Sequence, residues 1–188
     1  RSGMPGWKLG APLIVFFLAF GIDGSNSYLY LLKSTAPGFL ENIPNLYVPN
    51  NTLRLFTGSG MGIALASILY PAFNQSVWKD AVAERVLDWK KLGMLIAIIL
   101  LIDLAVLSEN EIVLYVIAFA SVIGVLALLV MVFSIVWIML MHQENMFLSL
   151  RELWMPLLAG TTLAFLMLTA IDLLRFRLTG TWGGFPLG

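Results

Sequence analysis

Residues 112–141 run for 30 positions without one charged side chain. Thirty helical residues measure about 45 Å, against a hydrocarbon core of roughly 30 Å. The run therefore predicts a helix that crosses a bilayer with a steep tilt or projects beyond it. No soluble fold offers a surface for such a segment, so the rest of the chain has to be read with lipid as its solvent. Composition agrees, with 60% hydrophobic and 12% charged residues and a mean hydropathy of +0.90, where soluble domains are about half apolar and a quarter charged.

Four more stretches are predicted to cross, giving an all-α polytopic transmembrane bundle in a single integral membrane domain. They cover about residues 11–32, 53–73 (with the helix closing near Pro71), 92–107 and 153–174. In residues 77–91, Trp78, Ala81, Val82, Val86 and Trp89 recur at helical spacing among charged positions, which predicts an amphipathic helix lying in the interface. Residues 33–52 hold Pro37, Pro44 and Pro49 with several asparagines and read as a loop. The chain opens at Arg1 with neither a start methionine nor a signal-peptide pattern, which reads as a fragment or processed chain.

Eleven basic and eleven acidic residues cancel, so no global field recruits nucleic acid. The absence of cysteine removes disulfides, thiol catalysis and Cys-type metal sites. With five crossings, Arg1, Lys8, Lys79, Arg85, Lys90, Lys91 and Arg151 share one side, and Lys33, Arg54, Arg175 and Arg177 the other. The excess of lysine and arginine puts the first side in the cytoplasm, with the N-terminus inside and the C-terminus outside.

Charges in hydrocarbon cost a few kcal/mol each and turn inward to partners. Asp23, Arg54, Asp103 and Asp172 are the intramembrane candidates. One reading makes them a proton or cation pathway. The other makes Asp23 and Arg54 an ion pair fastening the first two helices, Asp172 and Arg175 a pair one turn apart, and Asp103 a group near interfacial water. Gly58, Gly60 and Gly62, followed by Ala64 and Ala66, place small residues four apart, a seam where another helix backbone can approach. His142 is a candidate axial ligand to haem or chlorophyll, against the ordinary reading of a polar helix cap at the membrane surface. Methionines such as Met131, Met139, Met141 and Met146 lack the spacing of copper ligands and read as packing residues. No complete catalytic, metal or cofactor motif is present in the sequence, and it names no cofactor.

Residues from about 5 to 71 carry Pro5-Gly6-Trp7-Lys8 ahead of the first helix, Ile22-Asp23-Gly24 within it, and Asn50-Asn51-Thr52-Leu53-Arg54-Leu55-Phe56-Thr57-Gly58 opening the second. On these residues, about a third of the chain, it resembles an uncharacterised prokaryotic family of predicted membrane proteins, the domain of unknown function DUF2085. The Cys-His and Cys-x-x-Cys elements of that family have no counterpart in this cysteine-free chain. The resemblance implies that Asp23, Asn51 and Arg54 belong to one motif, and it implies no reaction.

Packing signals outnumber chemical ones. The chain is expected to be a non-enzymatic multi-pass subunit or scaffold that meets lipid and other membrane subunits in a larger complex of the bacterial inner membrane, with a bioenergetic assembly as one candidate. The alternative is a small transporter or proton-coupled channel using Asp23, Asp103 and Arg54. A membrane enzyme with its site in residues 33–52 ranks last, because that loop lacks a nucleophile–base pair or ligand cluster.

Overall fold

The computed structural model describes residues 3–35, 38, 43–80 and 85–180. Five helices follow one another: α1 (Trp7–Thr35), α2 (Asn51–Val77), α3 (Trp89–Leu107), α4 (Glu111–Leu140) and α5 (Trp154–Thr179). Among the described residues no strand forms, and the only β-type contacts are isolated bridges between Gly3 and Arg85 and between Trp78 and Phe147. An apolar segment in lipid has no water to satisfy its peptide groups, so it satisfies them along its own helix.

Four helices, Trp7–Lys33, Asn51–Val77, Glu111–Leu140 and Trp154–Arg177, are long and apolar enough to cross a membrane. The chain is an all-helical membrane protein. Of the five crossings expected from the sequence, α3 is the one that falls short by length and composition. It has 19 residues, and Lys90, Lys91 and Asp103 fall in every 18-residue stretch of it.

Polar side chains set the helix starts. Asp88 accepts from the Lys91 amide at 2.8 Å, Asn110 accepts from Ile112 and Val113 at 3.1 and 3.3 Å, and Asn50 accepts from Thr52 at 2.8 Å. Each satisfies an amide that the first helical turn leaves without a partner.

The expected interfacial helix over residues 77–91 is not continuous. Residues 81–84 lie outside the described residues; Lys79 and Asp80 form a bend, Arg85 to Asp88 are irregular, and Trp89 already belongs to α3. The Asp88 cap and the pairing of Val86 N–H with the Gly3 carbonyl at 3.2 Å outweigh the amphipathic period. Pro71 does not close α2 either, which continues to Val77. Proline forfeits one bond to the preceding turn, and a membrane helix tolerates this when neighbouring groups take up the slack. Beyond it, the Ser76 hydroxyl donates to the Ala72 carbonyl at 2.9 Å.

The described chain forms two compact units, divided within α2 after Pro71 and within α4 after Phe119. In the unit built from α1, the first part of α2, α3 and the start of α4, Leu9, Leu13, Ile63, Ala64, Leu87 and Leu92 form the apolar core. In the other unit, from the end of α2, most of α4 and α5, the core is Val77, Ile138, Phe147 and Leu153.

The second unit is fastened where α5 crosses α4. Gly160 lies so close that an added Cβ would stand 2.7 Å from the Val130 carbonyl oxygen and also meet Ser134. Ser134, fully buried, donates to the Pro156 carbonyl at 3.0 Å. Gly160→Ala is expected to force backbone apart and to destabilise the protein by about 1–3 kcal/mol, read as a lowered melting temperature in detergent. Gly62→Ala, whose added Cβ meets nothing within 4 Å, serves as the control and should leave the melting temperature unchanged or higher.

Candidate functional site

The polar groups of the first unit gather on three helices and one loop. On α1, Asp23, Asn26 and Ser27 sit at positions i, i+3 and i+4, hence on one helix face, and all three are buried. The loop that follows α1 is held to this face at two points. Asn26 donates from Nδ2 to the Tyr47 carbonyl at 3.0 Å and accepts the Leu46 amide at 2.9 Å. The Tyr47 hydroxyl donates to Asp23 Oδ1 at 2.5 Å. Lys33 also donates to the loop, to the Ile43 carbonyl and to Asn45 Oδ1.

Asp23 has a second neighbour in Thr57 of α2, whose Oγ1 lies 3.3 Å from Oδ2. That hydroxyl has one proton and also lies 3.0 Å from the Leu53 carbonyl of its own helix. Tyr47 is therefore the principal donor to Asp23. The donated hydrogen bond, helped by burial, raises the Tyr47 phenol above its usual 10.0, against a smaller opposing effect of Arg54. A raised folded value means that the contribution of this bond to stability is in full below pH 10 and is lost as pH climbs through the raised value.

Two residues further along α2, Ser59 faces α3 and donates to Asp103 Oδ1 at 2.7 Å. Asp103 is 2% exposed, and its Oδ2 has no hydrogen-bond partner. Thr57 and Ser59 thus hold a carboxylate on either flank of a single turn of α2.

The expected Asp23–Arg54 ion pair is not what forms. Among the described residues, Asp23 is met by hydroxyls, while Arg54 Nε donates to Ser27 Oγ at 3.3 Å. The two charges share α1 as a neighbour without touching. Asn51 is the exposed first residue of α2, and the adjacent Asn50 makes the capping contact. Asp103, placed near interfacial water by the sequence reading, is buried instead. Asp172, in the second unit, contacts Arg175 at 3.2 Å on a half-exposed surface.

The small-residue seam divides. Gly60 is buried, and an added Cβ there would come within 3.0 Å of Phe16 on α1. Nothing lies within 4 Å of a Cβ at Gly58 or Gly62, and Ala66 is exposed. Close approach between α1 and α2 thus uses Gly60.

His142 is exposed and ends α4 in the left-handed region at φ 51°. Its amide donates to the Met139 carbonyl at 3.1 Å and that of Gln143 to Ile138 at 2.9 Å, an arrangement that closes a helix C-terminus. Nearby, Glu152 accepts from the Leu148 amide and the Ser149 hydroxyl, which together hold its carboxyl below the usual 4.5. No cluster of three or more histidine, aspartate or glutamate side chains that could hold a metal occurs among the described residues.

Asn26, Tyr47, Thr57 and Ser59 are absent from the sequence reading's candidates. The one signal for Asn26 was its helical spacing from Asp23, while Tyr47 is joined to Asp23 across 24 residues of sequence and nothing local announces it.

Fold and polar core together define a polytopic helical membrane protein with hydroxyl-tethered carboxylates inside one helical unit. Compared with protein-family models, with curated proteins and with solved structures, the chain matches none.

Tyr47→Phe removes the principal donor to Asp23 and is expected to lower the melting temperature, and Thr57→Val to lower it less. In double-mutant cycles read by thermal melts, Asp23→Asn should couple to Tyr47→Phe and add to Arg54→Leu within about 0.5 kcal/mol. Coupling to Arg54 alone would reverse the assignment. His142→Gly, which relieves left-handed backbone, is expected to raise stability by up to about 1 kcal/mol, whereas loss of a bound haem or pigment from that variant would restore a ligand role.

Proposed function

We propose that this protein is a non-enzymatic multi-pass membrane subunit or scaffold that packs against partner helices in a larger complex of the bacterial inner membrane, a bioenergetic assembly among the candidates. The observation that carries this reading is α4: 30 residues with a hydropathy of 3.0, of which none in the most apolar stretch is buried by the chain itself. Phe119 and Val122 stand 69% and 64% exposed on it. Large exposed apolar faces serve lipid or protein contact. The carboxylates support the same reading, because Asp23 and Asp103 are tied to hydroxyls, and neither lines the groove beside Leu13 or the pocket beside Ser25 and Asn26. The resemblance to DUF2085 is consistent with a bacterial membrane setting and carries no activity with it.

The second reading, a proton-coupled transporter, has one observation in its favour: the partnerless Asp103 Oδ2, since a buried carboxylate oxygen without a donor is costly.

We further propose that α3 makes a fifth crossing, with Lys90 and Lys91 at the cytoplasmic interface, so that the N-terminus is cytoplasmic and the C-terminus outside. Trp89, 60% exposed at its start, suits an interfacial anchor.

The cysteine-free chain makes topology directly measurable. In intact cells, Ser108→Cys is expected to react with a membrane-impermeant maleimide and Ser149→Cys only after permeabilisation; the opposite pattern would mean that α3 does not cross if Val48→Cys, in the loop before α2, still reacts in intact cells, and an inverted topology if it does not. For function, a photo-crosslinking residue at Phe119 should join one defined polypeptide in stoichiometric yield in native membranes. Lipid adducts alone, together with proton-coupled flux by the isolated protein in liposomes that Asp103→Asn abolishes, would replace the scaffold reading with the transporter.

A further inference from the structure

Between the N-terminal half of α1 and the middle of α2 runs an open groove of about 420 Å³. Met4, Gly10, Leu13 and Phe17 line one side, and Ala64 and Leu69 are among those lining the other; none of its lining residues is charged. Gly10, Leu13 and Phe17 recur every three or four residues, so the groove follows one face of α1, for about 10 Å from Gly10 to Phe17. Gly6 precedes α1 and follows Pro5, which lines this end of the groove. Beyond this end of the groove the surroundings turn cationic. The Arg85 guanidinium packs on Gly6, with Nη1 3.1 Å from where a Cβ would stand. No ion pair engages Arg85 among the described residues. A second cation is close by, since Lys91 Nζ donates to the carbonyl of Val86, the next residue, at 3.3 Å. The nearest described carboxylate in sequence, Asp88, caps α3. Trp7, 85% exposed beside Gly6, marks this end as headgroup level.

An open apolar groove ending beside two cations at the depth of the headgroups matches one kind of molecule. We propose that this groove is a phospholipid site, in which one acyl chain lies against Leu13 and Phe17 and an anionic headgroup phosphate is held by Arg85, with Lys91 beside it. A guanidinium presents paired donors to phosphate oxygens, and basic pockets between membrane helices favour anionic headgroups. The groove supplies what an ordinary lipid-facing surface lacks, a concave wall on two sides of the chain. The glycine at position 10 leaves room for it: a Cβ there meets no atom within 4 Å.

The test is native mass spectrometry of the full chain, purified in mild detergent and equilibrated with equal amounts of phosphatidylglycerol and phosphatidylcholine of the same acyl chains. The wild type is expected to retain one phosphatidylglycerol, favoured about tenfold over phosphatidylcholine. Arg85→Gln should bring that ratio close to one while lipid of either kind still binds. Gly10→Phe fills the groove in open space and should lower retention of both lipids about tenfold with an unchanged melting temperature. Ile14→Trp, at a position 60% exposed on the rim, should do the same and stands in if Gly10→Phe fails to fold. Retention of neither lipid or of both equally by the wild type, or undiminished retention by the groove variants, overturns the proposal.

Discussion

The hydrogen bond from Tyr47 to Asp23 is the constraint on which the first unit depends. An aspartate inside a membrane helix is tolerable only if something donates to it, and the donor here comes from outside the helices altogether. Tyr47 belongs to the loop between α1 and α2, so the same contact that satisfies the carboxylate also ties down the loop. Asn26 repeats the arrangement one turn on, with both ends of its amide engaged by loop backbone. The loop is thereby part of the polar core, and its residues 43–50 are positioned by side chains of α1.

The two units solve the same problem with different chemistry. In the first, carboxylates are held by hydroxyls from α2 and from the loop before it, and the helices are spaced by Gly60 beneath Phe16. In the second, no carboxylate is buried among the described residues; the buried polar group is Ser134, which returns its proton to a backbone carbonyl of α5. Gly160 makes that contact geometrically available by removing the one atom that would stand in its way. Small residue and hydroxyl act together there, the glycine setting the distance and the serine using it.

Much of the architecture was legible because lipid leaves a chain few choices. A charge-free run such as α4 cannot be anything but a helix, and its limits were read to within a residue. Boundaries governed by single side chains were harder. The period of residues 77–91 is that of an amphipathic helix, yet the Asp88 cap decides where α3 begins. Pro71 looks like an end, but a helix in hydrocarbon loses more by stopping than by carrying one missing bond. The site was half visible: Asp23 and Asp103 stand out as ionic groups in apolar stretches, whereas their partners are hydroxyls, which look unremarkable in sequence. The Asp23–Arg54 pairing failed for that reason, since charge attracts notice first and a neutral donor at 2.5 Å satisfies the carboxylate without it.

The long sequence separation of those donors bears on how the chain is made. When α1 leaves the ribosome, Tyr47 is 24 residues behind Asp23 and Thr57 is 34 behind. At about 5–20 residues per second, the aspartate waits roughly two to seven seconds for its last partner. During that interval α1 bears an unsatisfied acid that on insertion scales costs about 3 kcal/mol at mid-helix. The first helix is therefore best retained at the translocation machinery until the second arrives, and the pair enters the lipid as a hairpin with its polar seam already closed.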